Sequence, residues 1–425
     1  MTEQKQVLHI AVVGAGYIGL PTAALLASKG HLVTAVDNNS KTVRQINEAV
    51  SPNPESGLQD LLSRGIETGC LVASSEVPKS DVFLITVPTP ITDLFKPDLR
   101  HVFEAVEAII EKLQIGNIVI IESTIPVNTT LNIAKLIEAK RPELFISDDL
   151  GSRGIKIAHC PERVLPGSLI EELVNNDRIV GGIDTDSTQS AANFYRNFVK
   201  GNIYSTDSRT AELSKLAENT FRDINIGFAN ELSQICEELL IDVWDLIKLT
   251  NHHPRVQILD PGPGVGGHCI AVDPWFIVDS APENSRLIKM ARQVNLEKEN
   301  FVIAKIVESL KTLKRNDLIL YGLTYKKNVA DFRNSPALNI LKELSSIPNL
   351  KIEAVDPYLN PEIDATLIPP SVRIKEIEDQ LNKDALHVIL VEHDTFLHIN
   401  NKTYPGAAII NFCAKNSTDS PKSKL

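Results

Sequence analysis

The strongest signal for covalent chemistry in this chain of 425 residues is a loop that ends in a cysteine. Six of the seven residues in Pro261–Gly267 are glycine or proline, and His268 and Cys269 follow directly. Such a run excludes a helix or a central strand and indicates a close approach of the backbone to another group. A thiol reacts as its thiolate, so it needs a cation or hydrogen-bond donors nearby. We predict that Cys269 is a nucleophile and that the other four cysteines are core residues.

Polar residues at helical spacing supply candidate partners for this cysteine. Lys215, Asn219 and Arg222 recur along one face of a segment that is predicted to be helical. A Lys–Asn pair could donate hydrogen bonds to an alkoxide that develops during hydride transfer. A solvated helix face is the alternative, and periodicity alone leaves both open. His268 is disfavoured as a general base, because in an extended chain it points away from Cys269.

A glycine-rich turn near the start of the chain predicts a dinucleotide site. Gly14, Gly16 and Gly19 fit the G-x-G-x-x-G pattern, with Tyr17 and Ile18 between them, after a β-rich run and before a helical segment. The first glycine permits a tight turn, the second lets a pyrophosphate approach the backbone, and the third lets the helix pack closely on the strand. A glycine turn without a ligand and an FAD site are the alternatives.

The acid expected at the ribose is Asp37, which ends the second β-rich run. Its carboxylate can accept hydrogen bonds from both ribose hydroxyls and would repel a 2′-phosphate. Asn38 and Asn39 offer no compensating cation. The sequence therefore favours NAD over NADP.

Two hydroxyl side chains follow later strands. Thr89 comes after the apolar run Val82–Val87, and Thr124 comes after the run Asn117–Ile121. Open parallel sheets bind ligands at the carboxyl ends of their strands, so both hydroxyls could line the cofactor or the reacting carbon. Ordinary turn chemistry is the alternative.

Alternating strands and helices must position these residues. Segments such as Leu20–Lys29 and Val102–Leu113 have helical spacing and lie between short apolar runs. The runs predicted as strands are Leu8–Val13, Leu32–Val36, Val82–Val87, Asn117–Ile121 and Ile155–His159. This alternation predicts βαβ units and a parallel sheet with helices on both faces.

The character of the chain changes after Ser205. Residues 209–240 contain no proline and are predicted to form one long helix or two joined helices. Strands return in the last region, at Asp317–Tyr321, Lys351–Val355, Leu386–Val391 and Ala408–Phe412. We therefore predict an α/β protein with two Rossmann-like, doubly wound parallel-sheet domains joined by a helical domain, with bounds 1–205, 206–312 and 313–425. The polar residues 416–425 are expected to fray.

Composition excludes several classes of protein. Hydrophobic residues make up 43% and charged residues 23%, which excludes a disordered tail protein. A net charge of −11 argues against a broad surface for nucleic acid or anionic membranes. Five dispersed cysteines without a CxxC pair argue against disulfides and structural zinc, so no metal is expected. The chain shows no signal-peptide pattern and no apolar stretch of about 20 residues, so a cytoplasmic location is expected.

Seven motifs together resemble the UDP-glucose/GDP-mannose dehydrogenase family. They follow the order of the family from about residue 8 to residue 412, as GAGYIGLP, VPTP, EST, CPERVLPG, AELSKLAENTFRD, GPGVGGHCIAVDP and GLTYKKNVADFRNSPA. Within the family, CPERVLPG, NHHPRV and GGHCIAVDPWF are most similar to the members that oxidise UDP-N-acetyl-D-mannosamine. Members that oxidise UDP-glucose typically have Phe-x-Lys-Asp after the cysteine, and residues 269–273 lack that lysine.

The resemblance implies a four-electron oxidation of a sugar primary alcohol to a carboxylate, with two NAD per turnover. The residues matched to catalysis are Cys269, Lys215, Asn219, Asp273, Glu162 and Thr124. In this scheme Lys215 and Asp273 help to remove the alcohol proton through a water, and Asn219 and Lys215 stabilise the oxyanion. Cys269 attacks the aldehyde and a thioester forms. Water positioned by Glu162 and Thr124 then hydrolyses the thioester.

The resemblance also implies the binding residues and a homodimer. The expected cofactor-binding residues are Gly14, Gly16, Tyr17, Ile18, Gly19, Asp37, Thr89, Thr124 and Arg333. The expected substrate-binding residues are Arg163, Val164, Lys215, Asn219, Arg222, Arg255, Gly266, Tyr325 and Lys326. Lys326 would meet the UDP diphosphate, and Arg333 would reach towards the NAD pyrophosphate. The family pairs its subunits through the long central helix.

Three alternatives remain open from the sequence. The same chemistry could act on UDP-GlcNAc, UDP-GalNAc or UDP-glucose, because these sugars differ by one stereocentre or one acetamido group. A two-electron β-hydroxyacid dehydrogenase shares the Rossmann–helix layout and the Lys–Asn pair, but it needs no nucleophilic cysteine. A non-catalytic NAD-binding module would leave the loop around Cys269 unexplained. For the main reading, the product is expected to enter a surface polysaccharide.

Overall fold

The computed structural model describes residues 6–52, 55–145, 154–164, 167–359, 366–376, 382–400 and 402–413. The chain divides into two compact units. The first comprises Met1–Glu218 and Trp275–Ala281, and the second comprises Asn219–Pro274 and Pro282–Leu425. The expected fraying of residues 416–425 lies outside the described residues. The division into three domains stays a prediction.

An eight-stranded sheet organises the first unit. Its strands are β1 His9–Val13, β2 Leu32–Val36, β3 Leu71–Ser74, β4 Val82–Ile85, β5 Ile118–Ile121, β6 Lys156–His159, β7 Arg178–Gly182 and β8 Ile203–Asp207. They lie in the order β3-β2-β1-β4-β5-β6-β7-β8. Neighbouring strands are parallel except β6 and β7, which are antiparallel. The five predicted strands are confirmed, and β3, β7 and β8 are additional.

Helices cover both faces of this sheet. They are α1 Gly19–Ser28, α2 Ser40–Asn47, α3 Leu58–Glu67, α4 Arg100–Ile110, α5 Thr129–Lys140, α6 Leu169–Asn175 and α7 Thr185–Arg196. Alternate residues of β1 enter different cores, since Ile10 and Val12 pack with α1, whereas Ala11 and Val13 pack with α4 and α5. With both faces covered, the polar loops collect at the carboxyl ends of the parallel strands.

One uninterrupted helix, α8, spans Ser208–Glu238, which decides between the one helix and the two that the sequence allowed. It is followed by α9 Val243–Thr250, α10 Asp273–Ser280 and α11 Arg286–Leu313. Several large apolar side chains of α8 are exposed, and Phe221 is 67% exposed. The others are Leu213, Phe228 and Ile235.

A second, five-stranded sheet lies in the second unit. Its strands are β9 Asp317–Tyr321, β10 Lys351–Val355, β11 Val372–Ile374, β12 Leu386–Ile389 and β13 Ala408–Asn411, and α12 Pro336–Ser345 follows β9. They lie in the order β11-β10-β9-β12-β13, and all pairs are parallel. This order is that of β3-β2-β1-β4-β5, so the second sheet repeats the topology of the first five strands. Two Rossmann-like sheets and a long helix confirm the predicted fold class.

The cysteines differ in burial. Cys160 and Cys236 are 0% and 2% exposed, while Cys70, Cys269 and Cys413 are partly buried. Burial raises the pKa of the Cys160 thiol to about 11 and that of Cys413 to about 12. Among the described residues, no three His, Cys, Asp or Glu side chains are grouped as a metal site would require. Nor does any described helix have the length and apolarity that crossing a bilayer requires.

Candidate active site

The glycine turn after β1 has the conformation that the sequence predicts. Gly14 has a φ of +100°, and its amide donates to the carbonyl oxygen of Val36 at 2.8 Å. A Cβ on Gly14 would lie 2.9 Å from the carbonyl oxygen of Thr86, and one on Gly19 would lie 1.8 Å from that of Gly14. Both positions therefore exclude a side chain, and α1 begins directly behind the turn.

Gly16 differs from the other two glycines because nothing lies within 4 Å of a Cβ placed on it. The residue is exposed, and α1 begins three residues later. Open space beside backbone amides at the start of a helix is what a dinucleotide pyrophosphate requires. The residues of this turn therefore fit NAD.

Asp37 ties the end of β2 to the glycine turn. Its Oδ2 accepts a hydrogen bond from the amide of Ala15 at 3.1 Å, and its Oδ1 accepts one from the amide of Asn39 at 2.9 Å. The residue is partly exposed, so its remaining lone pairs can accept ribose hydroxyls. Asn38 and Asn39 are exposed and uncharged, as the preference for NAD requires.

Glu55 is a residue of this region that sequence reasoning missed. The hydroxyl of Tyr17 donates to its Oε2 at 3.0 Å, and the amides of Gly167 and Leu169 donate to the same carboxylate at 3.1 and 2.8 Å. Glu55 is buried, so it joins the glycine turn to the start of α6. No local sequence signal could reveal Glu55, since the two amides lie 112 and 114 residues after it in the chain.

The loops after β4 and β5 carry Thr89 and Thr124, both of which are partly buried. The Oγ of Ser123 donates to the carbonyl oxygen of Val87 at 2.7 Å and so joins the two loops. The Oγ1 of Thr86 donates to the carbonyl oxygen of Gly14 at 2.7 Å. The threonines therefore lie on loops that are connected to the glycine turn, and their contact with a cofactor stays a prediction.

A buried polar cluster lies behind these loops. The hydroxyl of Tyr195 donates to Oε1 of Glu122 at 2.5 Å, and Nη1 of Arg178 lies 3.9 Å from the same oxygen. Burial raises the pKa of Glu122 in spite of the charge of Arg178. Burial also lowers the pKa of His159 to about 3, and the charge of Lys215 acts in the same direction. His159 is therefore neutral.

Glu162 and Arg163 belong to the motif that resembles the family. The carboxylate of Glu162 accepts a hydrogen bond from the amide of Val164, two residues on. Arg163 forms a two-pronged ion pair with Glu218, with Nε–Oε2 and Nη2–Oε1 distances of 2.9 and 2.6 Å. Its Nη1 donates to the carbonyl oxygen of Asp177 at 3.2 Å. Arg163 is thus oriented by protein groups on two sides.

The three polar residues that the sequence singled out on α8 differ in burial. Lys215 and Asn219 lie one turn apart and are buried, whereas Arg222 is exposed. A solvated face therefore fits Arg222 and does not fit the Lys–Asn pair. Burial of a lysine and an amide needs polar partners, which is how residues of a reaction site are arranged.

The predicted nucleophile, Cys269, lies in a turn four residues before α10. The carbonyl oxygen of Cys269 accepts hydrogen bonds from the amides of Val272 and Asp273 at 3.0 and 2.8 Å, and the chain then enters the helix. Oδ2 of Asp273 accepts a hydrogen bond from Nδ2 of Asn219 at 2.6 Å. The structure therefore brings together Asn219, Asp273 and the backbone of Cys269.

The glycines before Cys269 explain the close approach that their composition predicts. A Cβ on Gly266 would lie 2.6 Å from the carbonyl oxygen of Asn334. Gly267 has a φ of +83°, and a Cβ there would lie 2.8 Å from Cε2 of Tyr325. The amide of Gly267 donates to the carbonyl oxygen of Arg333 at 3.2 Å. The group that the loop approaches is thus the loop that follows β9.

The basic residues expected to meet diphosphates are exposed. Lys326 is exposed, and Arg333 forms a two-pronged ion pair with Asp331, with an Nη2–Oδ2 distance of 2.6 Å. Burial raises the pKa of Asp331, but the hydrogen bonds from Arg333 outweigh this effect and leave the pKa lowered. Arg255 is also exposed, and its amide donates to Nδ1 of His253 at 3.3 Å.

Buried asparagine side chains hold the start of the cysteine loop, residues 261–269, and sequence reasoning missed them. Oδ1 of Asn230 accepts from the amide of Gly262 at 2.9 Å, and its Nδ2 donates to Oδ1 of Asn295 at 2.9 Å. Asn295 in turn donates to Asp223 at 2.8 Å, and Arg292 donates to the same carboxylate at 2.6 Å. These contacts hold the loop on α8 and α11.

Models of three domains of one family match this chain. The NAD binding domain of the UDP-glucose/GDP-mannose dehydrogenase family matches residues 8–199. The central domain of the same family matches residues 209–297, and its UDP binding domain matches residues 319–418. The three matches together cover most of the chain.

Individual relatives are similar over nearly their whole length. The NDP-N-acetyl-D-galactosaminuronic acid dehydrogenase of Ralstonia nicotianae is 43% identical over 402 residues, which are 94% of each chain. The UDP-N-acetyl-D-mannosamine dehydrogenase of Campylobacter jejuni is 43% identical over 411 residues, 96% of this chain and 100% of the relative. The solved structure of the UDP-D-ManNAc dehydrogenase of Pyrococcus horikoshii has a TM-score of 0.85 at 34% identity, covering 97% of this chain and 96% of that chain.

Proposed function

The chain belongs to the UDP-glucose/GDP-mannose dehydrogenase family and is an NAD-dependent nucleotide-sugar dehydrogenase, and on this premise we propose that it oxidises UDP-N-acetyl-D-mannosamine to UDP-N-acetyl-D-mannosaminuronate. The observation that carries the proposal is the buried hydrogen bond between Asn219 and Asp273, whose amide is bonded to the carbonyl of Cys269. The names of the Campylobacter and Pyrococcus relatives support the choice of sugar.

The overall reaction converts a primary alcohol, two NAD⁺ and one water into a carboxylate, two NADH and three protons. NAD, when bound, supplies a two-electron hydride acceptor twice per turnover. In the first oxidation Lys215 and Asp273 remove the proton of the alcohol through a water molecule. Asn219 and Lys215 donate hydrogen bonds to the oxygen as negative charge develops on it.

Cys269 carries the second oxidation. Its thiolate adds to the aldehyde carbon, and the oxygen takes up a proton to give a thiohemiacetal. Loss of a hydride and a proton from the thiohemiacetal gives a thioester. Water positioned by Glu162 and Thr124 attacks the thioester carbonyl, and the carbon–sulfur bond breaks. Covalent capture keeps the aldehyde on the protein between the two oxidations.

The binding roles follow the same match to the family. Gly14, Gly16, Tyr17, Ile18, Gly19, Asp37, Thr89 and Thr124 bind the cofactor, together with Arg333. Arg163, Val164, Lys215, Asn219, Arg222, Arg255, Gly266, Tyr325 and Lys326 bind the nucleotide sugar. The ion pairs of Arg163 with Glu218 and of Arg333 with Asp331 orient these two guanidinium groups.

Three domains with bounds 1–205, 206–312 and 313–425 carry this function. The three family matches fall within these bounds, which supports them. The exposed apolar residues of α8, Phe221 among them, support a homodimer formed through this helix. The enzyme works in the cytoplasm, and its product serves the synthesis of a surface polysaccharide.

A second substrate has its own support. The Ralstonia relative is named for an N-acetylgalactosaminuronic acid, so UDP-GalNAc is the competing sugar. UDP-GlcNAc and UDP-glucose complete the set that must be compared, since GlcNAc differs from ManNAc and from GalNAc at one stereocentre each and from glucose by the acetamido group.

The test is the number of NADH molecules released per UDP-sugar consumed, measured with all four sugars. Two NADH per sugar, with the highest kcat/KM for UDP-N-acetyl-D-mannosamine, is the expected result. Highest activity with UDP-GalNAc would change the substrate and keep the chemistry. One NADH per sugar would overturn the role of Cys269 and favour a two-electron dehydrogenase.

A further inference from the structure

The two sheets share a detail at the ends of their first two strands. Gly14 follows β1 and Gly322 follows β9, with φ values of +100° and +81°. The amide of each glycine donates to the last carbonyl oxygen of the neighbouring strand, that of Val36 at 2.8 Å and that of Val355 at 2.9 Å. The same glycine turn therefore follows the first strand of both sheets in chain order.

An aspartate then follows the neighbouring strand in both sheets. Asp37 accepts a hydrogen bond from the amide of Ala15 at 3.1 Å, and Asp356 accepts one from the amide of Leu323 at 2.6 Å. The other carboxylate oxygen accepts from the amide two residues on, at 2.9 Å in the first sheet and 2.8 Å in the second. The second sheet thus keeps the glycine and carboxylate frame of a dinucleotide site.

The space inside this frame differs between the sheets. Gly16, two residues after the first glycine, leaves open space. Thr324 holds the same place after Gly322, is 0% exposed and donates from Oγ1 to the carbonyl oxygen of Lys326 at 2.9 Å. His393 is 1% exposed, and its Nε2 lies 3.3 Å from Oδ2 of Asp356 and 3.2 Å from Oγ1 of Thr324. Side chains therefore fill the place that the first sheet leaves to its cofactor.

We propose that His393 is a positioning residue whose imidazole substitutes for a nucleotide at the second frame and fixes the substrate loop, residues 322–335. Nδ1 of His393 accepts a hydrogen bond from the amide of Asn328 at 2.9 Å, so this nitrogen carries no proton. The proton is then on Nε2, which faces Asp356 and Thr324. One neutral ring therefore fixes the chain on both sides of Lys326.

The substrate loop transmits this position to the cysteine loop. Cε2 of Tyr325 lies 2.8 Å from the place that a Cβ on Gly267 would take, and the carbonyl oxygen of Arg333 accepts from the amide of Gly267 at 3.2 Å. The inference deepens the proposed function and rests on it, because the benefit of fixing the substrate loop depends on Lys326 meeting the UDP diphosphate.

The first experiment measures the dissociation constants of UDP and of NAD by calorimetry for the wild type, His393→Ala and His393→Asn. We expect His393→Ala to weaken UDP binding about tenfold or more, since buried partners of the ring lose their hydrogen bonds. NAD binding should change less than twofold. Imidazole added to His393→Ala should restore part of the UDP affinity, and His393→Asn should be intermediate, since its amide oxygen can accept from Asn328.

His398→Ala is the matched control, because this histidine is exposed and lies in the same segment. It should leave both dissociation constants unchanged. Equal weakening of UDP and NAD binding by His393→Ala would indicate a general loss of structure and overturn the proposal. Unchanged UDP binding in both His393 variants would overturn it as well.

Two lysine variants separate this inference from the proposed function. Lys326→Ala should weaken UDP binding, whereas Lys342→Ala should not, because Lys342 is exposed on α12, outside the substrate loop. If Lys326→Ala has no effect, the diphosphate role fails, and hydrogen exchange at the amide of Asn328 still tests His393. That amide should exchange faster in His393→Ala than in the wild type, and equal rates would overturn the positioning role.

Discussion

The side-chain amide of Asn219 donates a hydrogen bond of 2.6 Å to the carboxylate of Asp273, and both side chains are buried. The two residues are 54 positions apart, one within α8 and the other at the first residue of α10. Removal of either partner leaves the other polar group buried without this bond, which costs more than the bond itself contributes. The proton-removing role proposed for Asp273 and the oxyanion-stabilising role proposed for Asn219 therefore depend on one shared hydrogen bond.

This link predicts strong coupling between the two residues. The losses of kcat/KM in Asn219→Ala, Asp273→Ala and the double variant should not add, with a coupling on the order of 1–3 kcal/mol. Steady-state kinetics of the four proteins measures it. Asn225→Ala is the control, because Asn225 bonds to the carbonyl oxygen of Gln257 and should combine additively with Asp273→Ala. Additive losses in the first cycle would show that Asn219 and Asp273 act independently.

Replacement of the predicted nucleophile should separate binding from chemistry. Cys269→Ser should stop formation of the carboxylate, because a hydroxyl near neutral pH is a far weaker nucleophile than a thiolate. NAD affinity should stay within about twofold of the wild type, because the cofactor site is built by other residues. Product analysis and NAD titration give the two readouts. Cys70→Ser, at another partly buried cysteine, should keep full activity, and undiminished acid production by Cys269→Ser would exclude the thioester route.

Asp37 should determine both affinity and choice of cofactor. Asp37→Ala should weaken NAD binding about tenfold, as expected for lost hydrogen bonds to the ribose. The same variant should discriminate less against NADP, because a carboxylate no longer repels the 2′-phosphate. Titrations with NAD and NADP measure both effects, and Asp60→Ala at an exposed position of α3 is the control. Unchanged NAD affinity would remove Asp37 from the ribose site.

Glu299 should make stability depend on pH. Burial raises the pKa of this carboxyl from 4.5 to about 7, although Asn339 donates to it at 3.4 Å. Between these two values the unfolded chain has released the proton and the folded chain retains it, so stability falls as pH rises through this window. At pH 8 the free energy of unfolding of Glu299→Gln should therefore be about 1–2 kcal/mol higher than that of the wild type, a value reduced because Glu299 is partly exposed.

The same variant should match the wild type at pH 4.5, where the wild-type carboxyl is protonated in the folded chain. Urea unfolding at the two pH values measures the difference. Glu297→Gln, at an exposed position of the same helix, should behave as the wild type does at both. A wild type that gains stability relative to Glu299→Gln as pH rises would contradict the prediction.

The sequence predicted the sheets wherever strands are continuous apolar runs. Val82–Ile85 is buried at every position and was predicted, whereas Leu71–Ser74 alternates buried and more exposed residues over four positions and was missed. Arg178–Gly182 was missed because it begins with a charged residue and ends with two glycines. Its Arg178 pairs with buried Glu122, a contact that only the tertiary structure creates.

The site was predictable where chemistry imposes a spacing. The glycine pattern and Asp37 lie close in sequence and are constrained by one ligand. Glu55 contacts the glycine turn and Asn230 contacts the loop before Cys269, but both side chains bond to backbone amides that are distant in sequence. A single sequence holds no periodic or motif signal for such residues, since any polar residue at a loop or helix position looks the same before folding.

The unequal burial of the cysteines limits the thiols that a reagent can reach. Cys160 and Cys236 are shielded, and the thiol of Cys413 donates to the carbonyl oxygen of Leu390 at 3.0 Å and has a pKa of about 12. A mild alkylating reagent at neutral pH therefore meets at most two reactive positions, Cys70 and Cys269. On the proposed function, an electrophile attached to a sugar nucleotide should label Cys269 in preference to Cys70, so covalent labelling can count the proposed substrate sites in the unaltered protein.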